Sequence, residues 1–194
     1  MYDDIPPRWG FCHISNRFPR ALPWAITLGG LRPGIAMNGY ITMSQSLACL
    51  LAHVVFSTKH RQRIIADDVR DDLHGYIGGI LRNLKGTLLH AGSVEDHIHL
   101  LVAHPRTSSP AQLVEEIKTG SSAWIKTVGK CYSNFHWQGG YGIFSISPSH
   151  RPALERYLDN QSEHHKKVAF QDEFRRLLKK YDIEFDERYV WDQP

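Results

Sequence analysis

From about residue 46 onward the apolar positions of this chain fall into strand and helix rhythms; before it they do not. Leu47 to Ser57 is an apolar run centred on Val54, Val55 and Phe56, which predicts a buried first strand with Cys49 as a small core residue. Asp67 and Asp68 then open a helix to about Leu84, where acidic side chains suit the positive end of the helix dipole. Val69, Leu73, Ile77, Ile80, Leu81 and Leu84 recur at steps of three and four and mark its core-facing stripe. Gly86 to Val94 predicts a second strand and His97 to Ala103 a third, with a hairpin turn between them. Ser108-Ser109-Pro110 reads as the start of a second long helix, running to about Val128 with Leu113, Ile117, Trp124 and Ile125 on its apolar side. Tyr141 to Ser147 predicts a last strand. Ser149 is placed to cap a further helix, and Phe170 to Tyr181 continues helically. The tail from Asp182 to Trp191 carries Phe185, Tyr189 and Trp191, which would be costly to expose together, and is expected to pack on the domain. The order strand, helix, strand, strand, helix, strand places the chain in the α+β class, as two βαβ-like halves around an antiparallel hairpin.

Residues 1 to 42 contrast with this. They hold five of the ten prolines and four clustered glycines, and no period persists. They read as a disordered or loosely attached leader before a domain spanning 43–194, with Met43 as the expected true start. No run of eighteen apolar residues exists, so no membrane span is predicted. Three scattered cysteines form no metal-binding pair and fit a reducing cytoplasm. The net charge of +3 is weak as a nucleic-acid signal, so local clustering matters more. Lys59, Arg61 and Arg63 make one such cluster at the end of the first strand, and Lys118 and Lys126 lie on polar positions of the second long helix. Each is a candidate for contact with a DNA backbone, although a solvated surface would look the same.

The chemistry gathers in two places. In Asp96-His97-Ile98-His99, residues i and i+2 of a strand share a face, so two imidazoles project side by side and can hold one metal ion. Asp96 either orients His97 or is a turn residue. In Tyr157-Leu158-Asp159-Asn160-Gln161, residues i and i+4 of a helix stand one above the other, with His164 and His165 a turn further on. A tyrosine beside a ligating amide, with a histidine pair nearby, fits attack of a hydroxyl on a metal-polarised phosphodiester.

His97-Ile98-His99 matches the HUH motif, in which U is a bulky apolar residue. With Tyr157 and Gln161, Val54 to Lys59, Trp137 to Gly142, Phe144-Ser145 and Asp186 to Trp191, it makes the stretch from about 46 to 192 resemble the single-tyrosine transposases of the insertion-sequence two-hundred-like family. That resemblance implies a ferredoxin-like sandwich with a four-stranded antiparallel sheet, helices on one face and C-terminal helices carrying the tyrosine. It implies Tyr157 as nucleophile, and His97, His99 and Gln161 as ligands of Mg²⁺ or Mn²⁺. His164 or His165 could serve as a basic neighbour of the tyrosine. The implied partners are single-stranded DNA with hairpin ends and a second copy in a homodimer, in which the tyrosine helix of one subunit can serve the other's histidines. A domesticated, repeat-associated enzyme of the same chemistry, a non-catalytic nucleic-acid-binding regulator, and a hydrolytic or structural metal site remain as alternatives.

Overall fold

A computed structural model describes residues 47–165 and 168–191. The reading of residues 1–42 as a loose leader therefore lies outside the described residues. Four strands, β1 (Leu51–Ser57), β2 (Thr87–Ser93), β3 (His97–Ala103) and β4 (Gly142–Ile146), form one antiparallel sheet in the order β2-β3-β1-β4. Helix α1 (Asp67–Asn83) joins β1 to β2, and α2 (Pro110–Val128) joins β3 to β4. This is the expected ferredoxin-like α+β sandwich. Among the described residues no helix is long and apolar enough to cross a membrane.

The pleat divides the sheet's side chains between two faces. Val54 and Phe56 of β1 and Ile98, Leu100 and Val102 of β3 point toward α1 and α2, where Leu73, Ile77, Leu81, Leu113, Ile117 and Ile125 complete a fully buried core. Ser109 caps α2 reciprocally: its hydroxyl accepts from the Gln112 backbone N–H at 3.2 Å, and the Gln112 side-chain carbonyl accepts from the Ser109 N–H at 3.1 Å. Cys49 is exposed rather than core, because pairing begins only at Leu51.

The opposite face carries the polar residues of the same strands, and the chain's C-terminal helices fold over it. They are α3 (Arg151–Asp159), α4 (Gln161–His165), α5 (Phe170–Lys180) and α6 (Glu187–Val190). Phe170, Phe174 and Leu178 of α5 pack on Val55 and Phe144, with Phe185 and Trp191 from the tail joining this second cluster; the side chain of Tyr189 lies outside the description. In register across the four strands, Gly92, His99, Val55 and Gly142 stand side by side.

Candidate active site

The β3 pleat puts His97 and His99 together on the second face, both completely buried, with ring centroids 5.2 Å apart. Each ring is held from behind. The Nδ1 of His97 lies 2.6 Å from a carboxylate oxygen of Asp96, and the Nδ1 of His99 lies 2.9 Å from the Nε2 of His53 on β1. Both Nε2 atoms are thereby turned into the site, and that of His99 is buried with no hydrogen-bond partner. Asp96 also sits in the bend of the β2–β3 hairpin, which the Val94 N–H closes by donating to the His97 carbonyl at 3.1 Å.

The tyrosine arrives from the side. Tyr157 on α3 stands with its ring centroid 5.9 Å from His99, edge to face, and 5.5 Å from His164. Within one chain, then, the tyrosine already faces the histidine pair. The helix is not continuous from Tyr157 to Gln161, as the i, i+4 reading had it. It breaks at Asn160, whose side-chain amide donates to the Arg156 carbonyl at 2.7 Å, and restarts as α4. Nor does Ser149 cap α3: its hydroxyl meets that of Ser147 at 2.8 Å, in a short turn ahead of the helix. Gln161 is buried above Gly92, the strand neighbour of His99, and both its amide atoms lack partners.

Two further groups complete the cluster. His165 places its Nε2 2.9 Å from that of His97, while its Nδ1 faces the Val168 carbonyl at 2.8 Å. Glu173 on α5, almost fully buried, sets its carboxylate 2.8 Å from His165, 3.5 Å from His99 and 3.8 Å from His97. Glu173 and His53 were not singled out from the sequence. A carboxylate inside the Phe170, Phe174, Leu177 stripe of an amphipathic helix was the available signal for the first. The orphaned amide of Gln161 and the bare Nε2 of His99 are what a site for a divalent ion would show, so the residues fit one.

The candidate DNA contacts differ in character, and of them Arg63 borders a small cavity with Asp96 and His165. The Lys118 ammonium donates to the carbonyls of Gln138, Gly139 and Gly140 at 2.9, 3.2 and 2.6 Å, which supports a loop-holding role. Lys126 meets His136 at 3.5 Å, and Arg63 pairs with Glu95 at 2.7 Å. Lys59 and Arg61 sit in a tight turn in which His60 and Arg61 both take positive φ, and the Arg61 guanidinium lies 6.0 Å from the Trp191 ring.

Residues 46–161 match the family described as "Transposase IS200 like". The chain belongs to the IS200-like transposases. It is 21% identical to the ISDra2 transposase TnpA of Deinococcus radiodurans, over 57% of this chain and 83% of that protein. Among solved structures it is similar to a transposase of Deinococcus radiodurans R1, with 20% identity, a TM-score of 0.49, and coverage of 62% of this chain and 96% of the other. It is also similar to a REP-associated tyrosine transposase bound to a REP hairpin, with 14% identity, a TM-score of 0.46, and coverage of 78% and 99%.

In this IS200-like transposase, burial controls the charge of the cluster. It drives His53 and His99 well below the usual imidazole value, aided by neighbouring rings, and pushes His165 down to about 4. Burial also pushes the Glu173 carboxyl up to about 7, against the pull of His97 and Arg176. Neutral imidazoles are the form that binds metal. The same shifts set an acid response in the ion-free protein. The three imidazoles bind more protons unfolded than folded below their ordinary 6.5, so they make stability fall as pH drops from 6.5 through about 4. Glu173 acts in the opposite sense: between its ordinary 4.5 and about 7 the folded state binds the extra proton, so stability falls as pH rises there. With three groups against one, the melting temperature of ion-free protein is expected to decline from pH 6.5 to 4. A flat melting profile over that range would contradict it.

Proposed function

We infer that this transposase cuts and rejoins single-stranded DNA through a covalent link to Tyr157. The observation that carries the reading is the tyrosine ring standing against His99, on the wall of an open cavity of 680 Å³. His97 and His99, with Gln161 beside them, would hold a divalent ion, Mg²⁺ or Mn²⁺ on the family resemblance, which when bound supplies positive charge to the non-bridging oxygens of the scissile phosphate. The Tyr157 hydroxyl oxygen attacks phosphorus, and a P–O bond to the tyrosine forms as the bond to the leaving strand's 3′-oxygen breaks. The tyrosine proton passes to His164, which burial keeps below its ordinary value and hence neutral at pH 7. The departing 3′-oxygen takes a proton from water, so the products are a 5′-phosphotyrosine and a free 3′-hydroxyl. Rejoining is the reverse: a 3′-hydroxyl attacks the link and Tyr157 leaves. Phosphodiester energy is kept in the link, so no nucleotide triphosphate is needed. Hairpin ends as the recognised DNA, and a homodimer as the working form, follow from the family resemblance.

The cavity suggests where the strand lies. Arg176 and Lys180 of α5 line it together with Tyr157, Ser145, Ser147 and His150. Cations and hydroxyls in a groove beside the nucleophile suit a phosphate backbone. Replacing both Arg176 and Lys180 with alanine is expected to weaken binding of all single strands alike. It should also lower the slope of log K against log salt by about 1.4, at roughly 0.7 per phosphate contact. An unchanged slope in a fluorescence titration would remove these two residues from the interface.

Spacing at the sheet matters as much. A Cβ added at Gly92 would lie 2.5 Å from the Leu158 carbonyl oxygen and 2.9 Å from Gln161 Cγ, so Gly92→Val must lift α3. The expected cost is about 1–3 kcal/mol in stability. Single-turnover cleavage should slow by about 100-fold, as for a nucleophile misplaced by roughly 1 Å. Wild-type cleavage in a folded Gly92→Val would show that α3 is not seated there during reaction.

The reading as a whole is tested by incubating the protein with a divalent ion and labelled single strands from the ends flanking its gene. The expected product is a slow, protease-sensitive band on a denaturing gel whose modified peptide, by mass spectrometry, carries DNA on Tyr157. Cleaved DNA with no adduct would point to water as the nucleophile and overturn the proposal.

A further inference from the structure

The histidine pair is not the whole of the site. A carboxylate only accepts, so the His97 Nδ1 beside Asp96 carries the hydrogen. A carbonyl only accepts, so the His165 Nδ1 beside Val168 carries one too. The Nε2 atoms of the two rings both point into the group and are 2.9 Å apart. The His99 Nε2 is buried without a partner, and the Glu173 carboxylate, itself buried, closes the group. All four donor atoms lie within 4.8 Å of one another. Imidazole nitrogens and a carboxylate converging in a buried pocket are the donor types a divalent transition ion takes up.

We propose that His165 and Glu173 complete, with His97 and His99, a four-donor site for a first-row transition ion, which binds Zn²⁺ and Co²⁺ ahead of Mn²⁺ and Mg²⁺. It rests on the reading above that His97 and His99 hold an ion, and it changes which residues join them. Four donors at about 2.0–2.1 Å from one tetrahedral ion stand roughly 3.3 Å apart. The four donor separations that involve Glu173 or the His97–His165 pair run from 2.8 to 3.8 Å around that value, and all the donor atoms lie within 4.8 Å of one another. Donor type then decides the ion. Three imidazole nitrogens and one carboxylate suit zinc-like ions, whereas Mg²⁺ prefers oxygen donors and retained waters. Each ring is also braced at Nδ1, by Asp96, by His53 or by a backbone carbonyl, as ligating imidazoles are.

The test is a Co²⁺ titration of chelator-treated full-length protein, with no DNA present. Intense visible bands of four-coordinate cobalt at one ion per chain are expected, unmoved by a large excess of Mg²⁺. His165→Asn and Glu173→Gln should each weaken Co²⁺ binding by more than about 100-fold, beyond the roughly 10–100-fold that loss of an outer brace causes. His165→Cys and Glu173→Cys, checked for folding by circular dichroism, should each add a thiolate-to-cobalt charge-transfer band in the near ultraviolet. A weak six-coordinate spectrum in the wild type, displacement by Mg²⁺, or a folded cysteine variant without the new band would overturn the assignment. Because no cleavage is measured, failure here leaves the tyrosine chemistry standing, and absence of a Tyr157 adduct leaves this site standing.

Discussion

Tyr157→Phe is expected to remain folded and to form no covalent adduct with DNA. The substitution removes one oxygen from a half-buried ring and keeps the edge contacts with His99 and His164. Stability should therefore change by less than about 1 kcal/mol, the net worth of a typical hydrogen bond. Reactivity should collapse. Deleting a nucleophile that forms the covalent intermediate costs on the order of 10⁴- to 10⁶-fold, and phenylalanine offers no substitute. Single-turnover cleavage of labelled strands measures the loss, and the melting curve shows that the fold is intact. Cleavage within tenfold of wild type would exclude Tyr157 as the nucleophile.

The second large effect is expected at His99→Ala. This side chain lies between the sheet and the site, receives support from His53, and presents an unpartnered Nε2 beside Glu173. Truncation empties a fully buried position and should cost about 2–4 kcal/mol in stability, as other large-to-small changes do. Ion affinity should fall by more than about 100-fold and cleavage with it, while binding of single strands, which depends on the outer groove, should persist. Free imidazole added to the variant should restore part of the cleavage by refilling the space. Full activity in His99→Ala without imidazole would remove the histidine pair from the mechanism.

Much of this site was legible before any coordinates. The period of two in β3 dictated that His97 and His99 share a face, and the apolar run around them dictated that the strand be buried. The alternation of elements sufficed for the sandwich, because a hairpin between two crossover units has few ways to close. What stayed hidden depended on pairing between distant segments. His53 is 46 positions from His99 and reaches it only through the β1–β3 register. Glu173 reads as one more acidic residue of a surface helix until Phe170 and Phe174 are seen to turn it inward. Lys118 reads as part of a polar face open to a ligand, but the structure spends its ammonium on loop carbonyls. The break at Asn160 was hidden for a local reason, since a side-chain amide competing with the backbone leaves no mark on hydrophobic spacing.

The row Gly92, His99, Val55, Gly142 has a consequence for how such a protein decays. Its two outer members are bare backbone. α3 rests on the first, and Phe174, next to Glu173, lies over the second, where an added Cβ would come within 2.7 Å of its ring. The standoff of both the tyrosine and the carboxylate from His99 is thus gauged by missing atoms. A single-residue insertion in the β2–β3 hairpin would slide Ala91 or Ser93 under α3 and raise it by a methyl group's thickness. A copy of this chain can keep every reactive group and still fall silent.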